Sequence, residues 1–93
     1  MTADAFFRMT VQDVFTIRGR GTVVTGQIEA GTVSVSDEIT ISRPGQGNRT
    51  VVVAGLELSQ NLVQQAQAGD TVGVLLRGLE KQDVQKGDTL LGA

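Results

Sequence analysis

The run Arg18-Gly19-Arg20-Gly21-Thr22-Val23-Val24-Thr25-Gly26 sets a glycine on each side of an arginine and follows them at once with β-branched residues. Glycine adopts turn geometry at no steric cost, and Val and Thr favour extended backbone, so the run predicts a tight hairpin loop feeding a strand. Asp13-Val14-Phe15-Thr16-Ile17 supplies the incoming arm of that hairpin.

Working outward, the same period-two signal recurs. Val72, Val74 and Leu76 alternate with Thr71, Gly73, Leu75 and Arg77, the pattern of a strand with one buried face. Val52, Ala54, Leu56 and Leu58 read as a second such face, Val24, Gly26 and Ile28 as a third, and Phe7, Met9 and Val11 as a fourth. Gly26 marks a bulge or a close backbone approach, and Thr25 and Gln27 point away from the core. Ala30-Gly31, Ser36-Asp37 and Pro44-Gly45-Gln46-Gly47-Asn48 supply reversals between strands. Residues 59–66 and 80–85 each read as about one helical turn, the first capped by Ser59 with Leu62, Val63 and Ala66 on its apolar side. Short strands at regular spacing predict an all-β barrel or sandwich, with residues 1–93 forming a single domain.

A chain of 93 residues buries roughly 60 to 70% of its unfolded surface, enough for one core. With no Cys and no His, disulfides, Cys/His zinc sites, cysteine nucleophiles and Ser-His-Asp triads are excluded. The N-terminus has no signal-peptide pattern, and no apolar run approaches the ~20 residues of a membrane span. The reading is a soluble, cytoplasmic monomer that needs no metal or cofactor. Eight basic and ten acidic residues give a formal charge of -2, whereas proteins that grip nucleic acid mainly through phosphates are basic. Any RNA contact must therefore be local, and Arg18 and Arg20 on one exposed turn are where it would lie.

Nucleotide chemistry fails on spacing. A dinucleotide fingerprint needs glycine where Val24 stands and a helix after it, and neither Lys81 nor Lys86 follows the glycine spacing of a phosphate loop with Ser or Thr next. Asp13 and Glu57 are the two carboxylates inside apolar strand patterns. Acid-base hydrolysis needs such a pair held about 5 to 10 Å apart, and nothing in the sequence brings them together. The chain is read as having no catalytic residues. Phe15 and Ile17 share a face, which is either core packing or an exposed apolar ledge for a base or side chain; alternation alone leaves both open.

From Phe7 through Asp13-Val14-Phe15, residues 19–26, Glu29-Ala30-Gly31, residues 35–41, Gly55-Leu56-Glu57, Ala68-Gly69-Asp70, residues 72–78 and Lys86-Gly87-Asp88-Thr89-Leu90, the chain resembles the second domain of the translational GTPases, typified by elongation factor Tu. The resemblance implies a closed six-stranded antiparallel β-barrel, with GTPase activity in a separate domain. It also implies that an outer pocket, completed by that GTPase domain in cis or in trans, takes the 3′ end of aminoacyl-tRNA. On this resemblance Asp13, Phe15, Thr25 and Thr71 lie on the aminoacyl side, and Ile17, Gly19, Val23, Glu57 and Leu75 surround the terminal adenosine. The turn bearing Arg18 and Arg20 corresponds to the edge that meets ribosomal RNA. The family favours a basic pair shortly after the glutamate, where this chain reads Leu58-Ser59-Gln60-Asn61. That departure and the acidic balance support an alternative, a scaffold barrel that docks on protein and has lost tRNA binding.

Overall fold

The structure, a computed structural model, describes residues 6–92. Its strands are β1 (Phe7–Thr10), β2 (Asp13–Ile17), β3 (Gly21–Ala30), β4 (Thr32–Ser34), β5 (Glu38–Ser42), β6 (Arg49–Leu58), β7 (Asn61–Val63), β8 (Gln65–Gln67), β9 (Thr71–Leu76) and β10 (Thr89–Gly92), with a 3₁₀ turn at Lys81–Asp83. The strands β1, β10, β5, β6, β9 and β3 hydrogen-bond in that order, and β1 returns to β3 to close the ring. All pairings are antiparallel, so this is the closed six-stranded antiparallel barrel that the resemblance implied, where strand spacing alone left barrel or sandwich open.

Closure depends on β3 serving two partners along one edge. Its first half pairs with β2, from Ile17↔Gly21 to Asp13↔Thr25, and its second half pairs with β1 through Met9↔Ile28 and Arg8↔Ala30. The chain changes over at Gly26, where a Cβ would stand 2.4 Å from the Thr10 carbonyl oxygen. Gly26 is thus a point of close backbone approach, which only a residue without a side chain allows.

Alternation places Phe7, Met9, Val11, Val24, Ile28, Val72, Val74, Leu76 and Leu90 inside, all 2% exposed or less. Strand β6 departs from the simple pattern. Val51 and Val53 are buried whereas Val52 is exposed, the reverse of the expected phase. The register shifts between Val53↔Leu76 and Gly55↔Leu75, so one extra residue is inserted there. A bulge of this kind reverses which residues face inward, and Leu56 beyond it is again buried.

Residues 59–66 form no helical turn. Ser59 and Gln60 have φ of 53° and 69° and make a two-residue hairpin loop between β6 and β7, consistent with a primed turn that matches strand twist. The chain then continues into β8, where Ala66 is buried and pairs with Val33 of β4. The reading of 80–85 holds in shortened form as the 3₁₀ turn.

Turns 34–37, 67–70, 80–83 and 85–88 all end in aspartate and are closed in the same way. The Asp N–H donates to the carbonyl three residues earlier at 2.9–3.1 Å. Its carboxylate in turn accepts the N–H of that same residue, from Ser34, Gln67, Glu80 and Gln85, at 2.8–3.0 Å. The N–H and the carbonyl of the first turn residue are thus both satisfied by one aspartate, the first by its carboxylate and the second by its backbone N–H, which is why Asp recurs at these corners. Among the described residues no buried side-chain nitrogen or oxygen lacks a hydrogen-bond partner, and no helix is long and apolar enough to cross a membrane.

Candidate functional site

The strand register builds the site directly. Residues opposite each other on paired strands share a face. Glu57 lies opposite Leu62 on β7 and Gly73 on β9; Gly73 lies opposite Thr25, and Thr25 opposite Asp13. One row across the barrel exterior therefore reads Leu62, Glu57, Gly73, Thr25, Asp13. The adjacent row reads Gly55, Leu75, Val23, Phe15. Ile17 with Gly21 and Gln27 with Thr71 flank these rows at either end.

Phe15 and Ile17 are 52% and 39% exposed, so they form an outward apolar ledge and are not core residues. They point outward because Val14 occupies the barrel side of β2 and packs against the core. Phe15, Ile17, Val23, Thr25, Glu57, Thr71 and Gly73 line one cleft of about 390 Å³, with Ser59 and Gln60 at its rim. A smaller cleft adjoins it, lined by Ile17, Arg20, Val23, Glu57, Leu62 and Leu75 above Gly55 and Gly73.

Two of the expected residues sit apart. Asp13 belongs to the outer row but lines neither cleft, and its carboxylate lies 3.5 Å from Lys86 Nζ. Gly19 lies in the 18–20 turn, with φ of 79° and open space around it. There it stands with Arg18 and Arg20 rather than over the β-face. That turn faces residues 79–82 across a cleft of about 510 Å³, which brings Arg18, Arg20 and Lys81 together with Glu80. The buried Thr22 hydroxyl donates to the Leu79 carbonyl at 2.8 Å and holds the two walls in register.

Sequence reasoning missed the cleft floor. A Cβ at Gly73 would stand 3.5 Å from Val23 Cγ1 and 3.8 Å from Glu57 Oε1, and one at Gly55 would stand 3.6 Å from Leu75. Any larger residue would fill the depression. The available signal was glycine inside a strand pattern, which marks either a bulge or a close approach. Leu62 was missed because the helical reading of 59–66 turned it inward.

The arrangement offers apolar walls from Ile17, Val23 and Leu75, an aromatic face from Phe15, hydroxyls from Thr25 and Thr71, and acceptors from Glu57. Glu57 stands outside the four ion pairs found among the described residues. Its backbone is three strand spacings from that of Asp13, about 14 Å, and the Asp13 carboxylate is engaged with Lys86. The family described as elongation factor Tu domain 2 matches residues 21–91, a span that includes β3, β6, β7 and β9 of this face and begins after β2.

Proposed function

Since this chain belongs to the elongation factor Tu domain 2 family and is a translation-factor β-barrel domain, we propose that its outer β2–β3–β9–β6 face binds the aminoacylated 3′ end of a tRNA. The barrel itself is a binding domain and carries out no chemical step. The observation that supports this most directly is the low glycine floor at Gly73 and Gly55, flanked by apolar walls and a free carboxylate. A planar base gains contact with Ile17, Val23 and Leu75, while Glu57 accepts hydrogen bonds from ribose hydroxyls or an exocyclic amine. Phe15 offers a surface to the amino-acid side chain, and Thr25 and Thr71 offer hydroxyls to its polar groups. Arg18 and Arg20, joined by Lys81, form a basic edge for ribosomal RNA phosphates. A GTPase domain, in cis or in trans, would cover the open side of the face.

The test is a titration with a hydrolysis-resistant 3′-aminoacylamino-adenosine, followed through backbone amide shifts. Saturable shifts concentrated at Phe15, Val23, Glu57, Gly73 and Leu75 are expected. Scattered or absent shifts at millimolar ligand would refute the reading for the isolated barrel.

A docking role on protein has one observation in its favour, the outward apolar side chains of Phe15, Ile17 and Leu62. Salt separates the two readings. RNA binding weakens steeply between about 50 and 200 mM salt, whereas an apolar protein contact changes little.

A further inference from the structure

The geometry points to Leu62 as an additional specificity-determining residue, an apolar flap on the β6–β7 hairpin that contacts the base of the bound terminal nucleotide. This rests on the reading of the outer face as a site for an aminoacylated 3′ end. Leu62 is 85% exposed, the most exposed of the large hydrophobic residues among those described. Yet it lines the smaller cleft together with Ile17, Val23, Glu57 and Leu75.

Its position follows from the hairpin. Leu56↔Val63 is the inward pair of β6 and β7, so the next pair, Glu57↔Leu62, must face out. The loop beyond holds Ser59 and Gln60 at positive φ, a conformation that pins the register of this short hairpin. Leu62 is thereby carried beside the Glu57 carboxylate with its methyl groups directed to solvent. Exposed leucine in such a place gains free energy only when something apolar covers it.

The rest of the hairpin supports an apolar role. Ser59, Gln60 and Asn61 carry no charge, so this element has no cation with which to hold a phosphate. What it presents to a ligand is the leucine and the neighbouring acceptor. That combination suits a purine, whose face is apolar and whose edge carries an amine donor. The β-face can hold the ribose and the aminoacyl group without this flap, so Leu62 acts on recognition of the base and leaves the other contacts intact.

The chain has no Trp and no Tyr, so Leu62→Trp places a lone indole at the flap without disturbing the core. Adding the 3′-aminoacylamino-adenosine is expected to shift and quench its emission. Leu62→Ser is expected to weaken that ligand about fivefold, the scale of partly burying one leucine. The same variant should change affinity for an analogue lacking the base by less than about twofold. Unmoved indole emission, or equal losses for the two ligands, overturns the role of Leu62 while the binding face stands. Failure of the parent protein to bind either ligand overturns both.

Discussion

Arg43 grips Asp88 with two parallel hydrogen bonds, Nε to Oδ1 and Nη2 to Oδ2, each 2.9 Å. The Asp88 side chain is 2% exposed and also accepts the Gln85 N–H. The Asp88 carbonyl meanwhile accepts the Val11 N–H, tying the approach to β10 to the end of β1. One aspartate thus closes a turn, anchors an arginine and joins the two segments that flank the barrel seam.

Removing the arginine should leave a buried carboxylate without its counter-charge. Arg43→Ala is expected to lower the denaturant midpoint clearly, because Asp88 stays buried without its partner. Arg8→Ala, which breaks the exposed pair with Glu29, should cost no more than about 0.5 kcal/mol. Similar losses for the two variants would show that the Arg43 contact is not the stronger.

Acid should weaken the fold through the same group. Burial pushes the Asp88 carboxyl up, but the Arg43 guanidinium and the Gln85 N–H outweigh it and hold the carboxyl below the usual range. A group with a lowered folded-state value contributes fully above its unfolded value, near pH 4, and loses that contribution as pH falls through the folded value. Melting temperature should therefore drop below about pH 4. In Asp88→Asn the drop should be shallower and should start from a lower plateau, as read by calorimetry across pH.

The two glycines of the 18–21 region should respond differently to alanine. Gly21 has φ of 134° and a Cβ there would stand 2.9 Å from the Leu76 carbonyl oxygen, whereas Gly19 has φ of 79° and open space. Gly19→Ala carries conformational strain alone, about 1 kcal/mol. Gly21→Ala adds a backbone collision and should reach about 2 kcal/mol or more. Equal costs in chemical denaturation would remove the collision from the account.

At the cleft floor, Gly73→Val is expected to leave the barrel folded. The nearest neighbours of a Cβ lie at ordinary contact distances, and a β-branched residue suits a strand. Its methyl groups would occupy the depression between Val23 and Glu57. Ligand-induced amide shifts should vanish while the melting temperature stays within about 5 °C of the parent. Retained binding would move the site off this face.

On the basic edge, Arg20→Ala should melt within about 0.5 kcal/mol of the parent, because the side chain is exposed. Ribosome co-sedimentation should fall, and more sharply in the Arg18→Ala/Arg20→Ala double variant. Undiminished co-sedimentation would leave the basic edge without a recognition role.

Much of this architecture was legible in the sequence because strand alternation is a local property. The buried sets Phe7-Met9-Val11, Val24-Gly26-Ile28 and Val72-Val74-Leu76 follow from neighbouring side chains pointing to opposite faces, as does the outward turn of Thr25 and Gln27. The hairpin at 18–20 follows equally from glycine at positions that need positive φ. What alternation alone leaves open is which face of a strand is covered. For β2 the fact that Phe15 and Ile17 point outward depends on Val14 meeting the core, a contact with residues distant in sequence.

Composition and period thus determined an all-β chain with no cysteine or histidine chemistry, a hairpin at Arg18-Gly19-Arg20-Gly21, and the inward faces of three strands. Tertiary structure alone decided the phase reversal at Ala54-Gly55, the hairpin in place of a helical turn at Ser59-Gln60, the Arg43–Asp88 pair and the row from Leu62 through Glu57 and Gly73 to Asp13. Each of these depends on which strands pair and in what register. A single inserted residue or a partner 45 positions away changes the result without changing the local pattern. Propensity acts between neighbours along the chain, whereas the binding face is assembled from residues that become neighbours only when the barrel closes.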